Sequence, residues 1–198
     1  RIVTADGKTC WIDDRTSIER DKNGLIRNYH GVILDITERK TLETNLLKLT
    51  QVVEQSPESI VITNTDATIE YVNQAFCNIT GYSKNEAIGQ NPRILHSGKT
   101  PVETYENMWS RLTQGLSWKG ELINKTKSGK EYIEFALISP LRLEGDKTTH
   151  YVAVKEDISE KKKIAQELDI HRHHLEEIVE QRTHQLAKAQ QQAESANL

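Results

Sequence analysis

The sequence is short of cysteine, of long apolar runs and of net charge. Cys10 and Cys77 are its two cysteines, with no CxxC pair and no repeated spacing. Neither a zinc site nor a disulfide framework is indicated, and a reducing, cytoplasmic setting fits them. No apolar run approaches the ~20 residues that span a bilayer, and the chain opens at Arg1 in a polar, strand-like pattern rather than a signal peptide. A formal charge of −3, from 26 Lys and Arg against 29 Asp and Glu, offers no basic stripe to nucleic acid. ATP-binding, nucleophile–base and metal-ligand patterns are also missing, so the segment is not expected to be an enzyme itself.

What is present points to a soluble signalling fragment. Over 198 residues, 28% charged against 36% hydrophobic allows one complete core with much polar surface, some of it exposed helix. The chain reads as a piece of a longer protein, in which an anchor would have to lie elsewhere. An internal repeat is visible without gaps: Gly7 to Asp35 and Gly129 to Asp157 have the same length, and each encloses a strand, a polar turn, a second strand and an acidic end. Residues 1–37 therefore read as the closing strands of a domain whose beginning is missing.

Each copy runs into a helix. After Asp35-Ile36-Thr37, the residues Leu42, Leu46, Leu49 and Val53 recur at steps of four and three, which predicts a linker helix over 38–55 ending before Pro57. After Asp157-Ile158-Ser159 the chain has neither Pro nor Gly and is rich in Glu, Lys, Gln, Ala and Leu. A helix on the order of 55 Å is predicted over 160–198. Leu168, Leu175, Val179, Leu186, Ala189, Ala193 and Ala196 fit a heptad seam interrupted by Arg172 and Arg182. An adjustable coiled-coil homodimer is the expected partner arrangement.

Between the helices lies a compact α+β pattern. Ser59 to Thr63 and Ile69 to Val72 read as a hairpin. Ser83 to Glu86 is a capping box, and Thr100-Pro101-Val102-Glu103 predicts Thr100 as the cap of a helix with Val102, Tyr105, Met108, Trp109 and Leu112 on one face. Strands follow at 117–125, 130–141 and 149–158. The sum is a five-stranded antiparallel sheet with short helices on one face.

This order resembles the PAS domain. The hairpin VITNTDATIEYVNQAF, the segment ITGYSKNEAIGQNPRIL and the ending HYVAVKEDISE, echoed by GVILDITERK, carry the resemblance over residues 56–159. The C-terminal stretch looks like the helix that leads into the dimerisation domain of bacterial hybrid histidine kinases, so a downstream kinase domain is implied in the parent protein. Within the family, the segment from Gly89 to Gly129 is similar to the FAD-binding redox sensors that include regulators of nitrogen fixation and methane oxidation. That likeness implies FAD, with the subgroup's flavin-contacting Thr, Trp and Asn at Thr100, Trp109 and Asn124. It departs from the pattern at Pro92, where some relatives have a glutamate beside the flavin. Light-oxygen-voltage members carry a reactive cysteine at the same place, so adduct photochemistry is not implied. Haem-binding members take a His from the long helix, and residues 101–113 contain none.

Strand alternation places Asn124 on one row with Trp118, Gly120 and Leu122. An amide on an apolar row needs a partner, either backbone or the edge of a flavin ring. Trp109 and Trp118 offer faces for stacking and serve equally as core filler. Arg93, His96 and Lys99 either face a pyrophosphate or are solvated loop charges. His171, His173 and His174 read as a solvated helix face, and Leu-Glu-Glu-Ile after His174 departs from the kinase phosphoacceptor motif. The expected function is a sensory relay module that binds FAD, senses redox state or oxygen, and signals through the C-terminal helix. The alternatives are a ligand-free dimerisation and relay domain, or a pocket for a small metabolite.

Overall fold

The computed structural model describes residues 1–143 and 145–196, and the side chains of all of these except residues 184 and 186–196. The seam positions Leu186, Ala189, Ala193 and Ala196 therefore lie outside the described side chains. The chain divides into two compact units, Arg1–Gln55 and Ser56–Leu198.

In the first unit, β1 (Ile2–Val3) pairs with β2 (Thr9–Cys10), and β3 (Ile12–Arg20) forms an antiparallel hairpin with β4 (Ile26–Asp35) that leads into helix α1 (Thr37–Glu54). The Asp21 carboxylate shapes the turn by accepting from the amides of Asn23 at 2.8 Å and Leu25 at 2.9 Å. Gly24 has φ 81° there, a conformation that favours glycine.

The second unit runs β5 (Ser59–Asn64), β6 (Ile69–Val72), α2 (Gln74–Thr80), α3 (Lys84–Ala87), a 3-10 turn at Pro92–Leu95, and α4 (Val102–Thr113). Strands β7 (Trp118–Lys125), β8 (Glu131–Leu141) and β9 (His150–Asp157) follow, then helix α5 (Ser159–Ala196). The five strands form one antiparallel sheet in the order β6-β5-β9-β8-β7. The alternation read from the sequence is realised in β5, where Ser59, Val61 and Thr63 are buried, and in β7, where Trp118, Leu122 and Asn124 are.

The repeat extends to atomic detail. Ile12 pairs with Asp35 as Glu134 pairs with Asp157, and every pair from there to Glu19↔Asn28 has its counterpart, ending at Leu141↔His150. The join to the following helix is also the same twice. Thr37 Oγ1 accepts from the Trp11 amide at 2.8 Å, and Ser159 Oγ accepts from the Ile133 amide at 2.8 Å. The Ile36 amide donates to Trp11 O and the Ile158 amide to Ile133 O. Asp35 and Asp157 cap the two helices by accepting from the amides of Thr37 and Ser159.

Asn73 organises the start of the second unit. Fully buried at 0% exposure, it accepts from the Ile60 amide at 2.9 Å and the Phe76 amide at 3.1 Å, and donates to Glu58 O at 2.9 Å. One side chain thus caps α2 and fixes the entry to β5. Ser83 and Glu86 form the expected capping box on α3.

Thr100 corrects the sequence reading. Pro101 is the N-cap of α4 and makes no side-chain cap bond. The Thr100 hydroxyl turns instead to Ile123 of β7, accepting from its amide at 2.8 Å and donating to its carbonyl at 3.2 Å. Ser97 Oγ also donates to that carbonyl. β7 is an edge strand whose outward backbone groups need partners, and they hold Thr100 more firmly than one helix terminus would.

Two apolar clusters support the sheet. Val61, Ile69, Val72, Phe76, Leu95 and Ala153 belong to one. Met108, Leu112, Trp118, Leu122, Ala136 and Tyr151 form the other, and Ile138 packs against both.

Candidate functional site

A cavity of about 360 Å³ lies where the two clusters fail to meet. Val61 and Ala153 line it from one cluster, and Met108, Leu112, Leu122 and Tyr151 from the other. This volume falls within the range of small-molecule pockets, roughly 300–1,000 Å³.

Four of the six residues singled out in the sequence meet here: Asn124, Trp109, Arg93 and His96 all line the cavity. Trp109, 38% exposed, stands edge-on to Tyr151 with ring centroids 5.8 Å apart. His96 stacks on Tyr105 at 4.6 Å, held beside Asn124 by a backbone bridge to β7. Arg93 is exposed at the 3-10 turn. The other two stand elsewhere. Thr100 is stitched to Ile123 as described, and Trp118 is core: its indole Nε1 donates to Asn107 Oδ1 at 3.1 Å while its ring lies over Gly120. A Cβ at Gly120 would come within 2.5 Å of that ring, so glycine is required for the indole to fold back on its own strand.

Asn124 is 3% exposed, and its Oδ1 has no hydrogen-bond partner. The rest of the amide is engaged, since the side chain hydrogen-bonds the hydroxyl of Tyr132, its cross-strand partner on β8. An orphaned carbonyl in an apolar wall costs ~1–3 kcal/mol. Its placement in a cavity wall is what a binding site for an N–H donor requires.

The sequence reading missed the charged part of this wall. Lys155 Nζ donates to Glu134 Oε1 at 2.7 Å, with side-chain exposures of 8% and 3%. The Tyr132 hydroxyl donates to Glu134 Oε2 at 3.3 Å. Burial first, and then the Glu134 charge, push the Tyr132 phenol above its ordinary value, so it stays protonated as a donor. Asn124, Tyr132, Glu134 and Lys155 thus form one buried chain of hydrogen bonds across β7, β8 and β9. The available signal was period-two alternation, which puts Lys155 on the row of Tyr151 and Ala153, and Glu134 on the row of Tyr132 and Ala136. Between Tyr132 and Glu134 sits Ile133, whose amide and carbonyl hold the start of α5.

A five-stranded antiparallel sheet with short helices closed over an interior cavity, and a helix leaving its last strand, defines a sensory α+β class. The family model for the PAS domain matches residues 57–160, and the chain belongs to that family. Over 119 residues it is 40% identical to a nitrogen fixation regulatory protein of Klebsiella pneumoniae, covering 60% of this chain and 24% of that protein. It is 33% identical over 99 residues to the sensor protein FixL of Bradyrhizobium diazoefficiens, covering 48% of this chain and 20% of FixL. The chain thus spans a quarter or less of these relatives. Among solved structures, a LOV domain from a blue-light activated histidine kinase of Erythrobacter litoralis superposes with a TM-score of 0.50 at 26% identity, covering 53% of this chain and 99% of that domain. Among the described residues no helix is long and apolar enough to cross a membrane, and no cluster of His, Cys, Asp and Glu is placed to hold a metal.

Proposed function

We propose that this chain is the sensory and relay part of a histidine-kinase signalling protein, binding FAD in the cavity and passing redox state or oxygen exposure to α5. The observation that carries the reading is the buried, unpartnered Asn124 Oδ1 in the cavity wall. The pyrimidine edge of a flavin carries the N–H donor this oxygen lacks. When bound, the flavin supplies a ring whose hydrogen-bonding edge changes on reduction. Asn124 orients that edge, Trp109 and Met108 close on the ring, and Arg93 and His96 at the 3-10 turn face the phosphates.

The relay follows from β8. A change at Asn124 is felt by Tyr132 and Glu134, which flank Ile133, and Ile133 grips Ser159 and Ile158 at the root of α5. The fragment itself is a binding and relay module, while the parent carries the kinase. By the shared register and helix joint, residues 1–37 are the closing strands of a second PAS domain, and α1 is the linker between the two. Homodimerisation runs through α5, with α1 as a further contact.

An absorption spectrum of the purified chain tests the reading: flavin bands support it, and a colourless protein that takes up no added FAD leaves a ligand-free relay domain. Asn124→Ala will weaken FAD retention about tenfold, the equivalent of ~1.4 kcal/mol for one buried hydrogen bond. Equal retention in wild type and variant removes Asn124 from the site.

Blue light will produce no thiol adduct. Pro92 lines the cavity at the place of the photochemical cysteine, and Cys77 packs against the apolar cluster around Phe76 instead. A light-minus-dark spectrum with reversible bleaching that persists in Cys77→Ala would sink this expectation.

A further inference from the structure

The cavity wall is positively charged. Lys155, Arg93 and His96 line it, and among the described residues no Asp or Glu does. The carboxylate paired with Lys155 stands behind the ammonium: Glu134 holds Nζ at 2.7 Å, is 3% exposed, and is not part of the lining. Tyr132 bonds the other oxygen of that carboxylate, so Glu134 is anchored away from the cavity.

One of the three ammonium protons of Lys155 is committed to Glu134. A ligand that fills the cavity removes water from the ammonium, and it is favoured only when it brings electron density to replace that water. His96 reports the same field from the opposite wall. Burial first, then the charges of Arg93 and Lys155, lower its proton affinity.

We propose that Lys155 is the potential-setting residue of the cavity, its ammonium held toward the ligand by Glu134 so that the electron-rich state of a redox-active heterocycle is bound more tightly than the neutral state. The inference rests on the flavin reading and adds to it the residue that sets the redox balance. Uptake of two electrons and one proton turns the neutral oxidised ring into a monoanion, the electrons coming from an external reductant and the proton from solvent. The negative charge so created faces Lys155, and this attraction raises the midpoint potential.

The test is a redox titration of the full chain reconstituted with FAD, with dithionite as reductant and a reference dye. Glu134→Gln keeps an acceptor for Lys155 but removes its countercharge, so the midpoint will rise. Glu134→Gln/Lys155→Met removes both charges at similar volume, and the midpoint will fall below wild type. The reduced form should lose at least tenfold in relative affinity in this double variant, about 30 mV for a two-electron couple. A merely structural pair would move both variants the same way. An unchanged midpoint in the double variant, or shifts of one sign in both, overturns the proposal while leaving the flavin reading intact. Wild type that takes up no FAD overturns both. Should Glu134→Gln fail to fold, the double variant decides alone: a lower midpoint supports the role of Lys155 and a wild-type midpoint removes it.

Discussion

Glu134→Ala will lower the unfolding free energy of the PAS unit by about 3–5 kcal/mol, the typical penalty for stranding one partner of a buried ion pair. The variant leaves Lys155, with 8% side-chain exposure, without its countercharge, and it takes from the Tyr132 hydroxyl the acceptor it donates to. Glu134→Gln/Lys155→Met will instead stay within about 1.5 kcal/mol of wild type, because no charge remains to be compensated and the volumes are nearly kept. Urea unfolding followed by circular dichroism measures both, and the double-mutant cycle gives the coupling between the two side chains. A loss below 1 kcal/mol in Glu134→Ala would mean that water reaches the pair.

Leu175→Asp/Val179→Asp will convert the chain from dimer to monomer, raising the dimer dissociation constant at least 100-fold, equivalent to about 2.8 kcal/mol. Leu168, Leu175 and Val179 are 68%, 61% and 63% exposed along one stripe of α5, and a helix this long with no apolar cover is marginal alone. Parallel pairing buries the stripe and sets the C-termini side by side. Arg172 interrupts the seam and turns to Asp169 at 2.7 Å, which keeps the coiled coil adjustable. Light scattering reads the mass, while circular dichroism checks that the PAS unit stays folded, as neither residue touches its core. A variant of unchanged mass would move association to α1 or to the sheet face where Phe135, Leu137 and Val154 are exposed.

Much of this architecture is legible in the sequence because its signals are local. The alternation of β5 and β7, the capping box at Ser83 and the repeat ending in Asp35 and Asp157 depend on residues a few positions apart. Asn124 stands out for the same reason, as one amide on an apolar row. Glu134 and Lys155 do not stand out, because a charged residue in a strand ordinarily faces water, and their burial is made tolerable only by a partner on the neighbouring strand. Thr100 was misread through competition: a hydroxyl before Pro101 suits a helix cap, but the unpaired backbone of Ile123, distant in sequence, offers it two bonds. Trp118 stays out of the cavity because Gly120 gives it a flat seat on its own strand.

The identical joint at Thr37 and Ser159 makes the hairpin and the helix root an exchangeable cassette. Since register, hydroxyl clasp and aspartate cap coincide atom for atom, residues 9–40 and 131–162 present the same mechanical terminals to whatever precedes and follows them. A chain built this way can gain or lose whole sensors by recombination at these points without redesign of the output helix. The diversity of inputs can then grow while the outgoing motion keeps a single form.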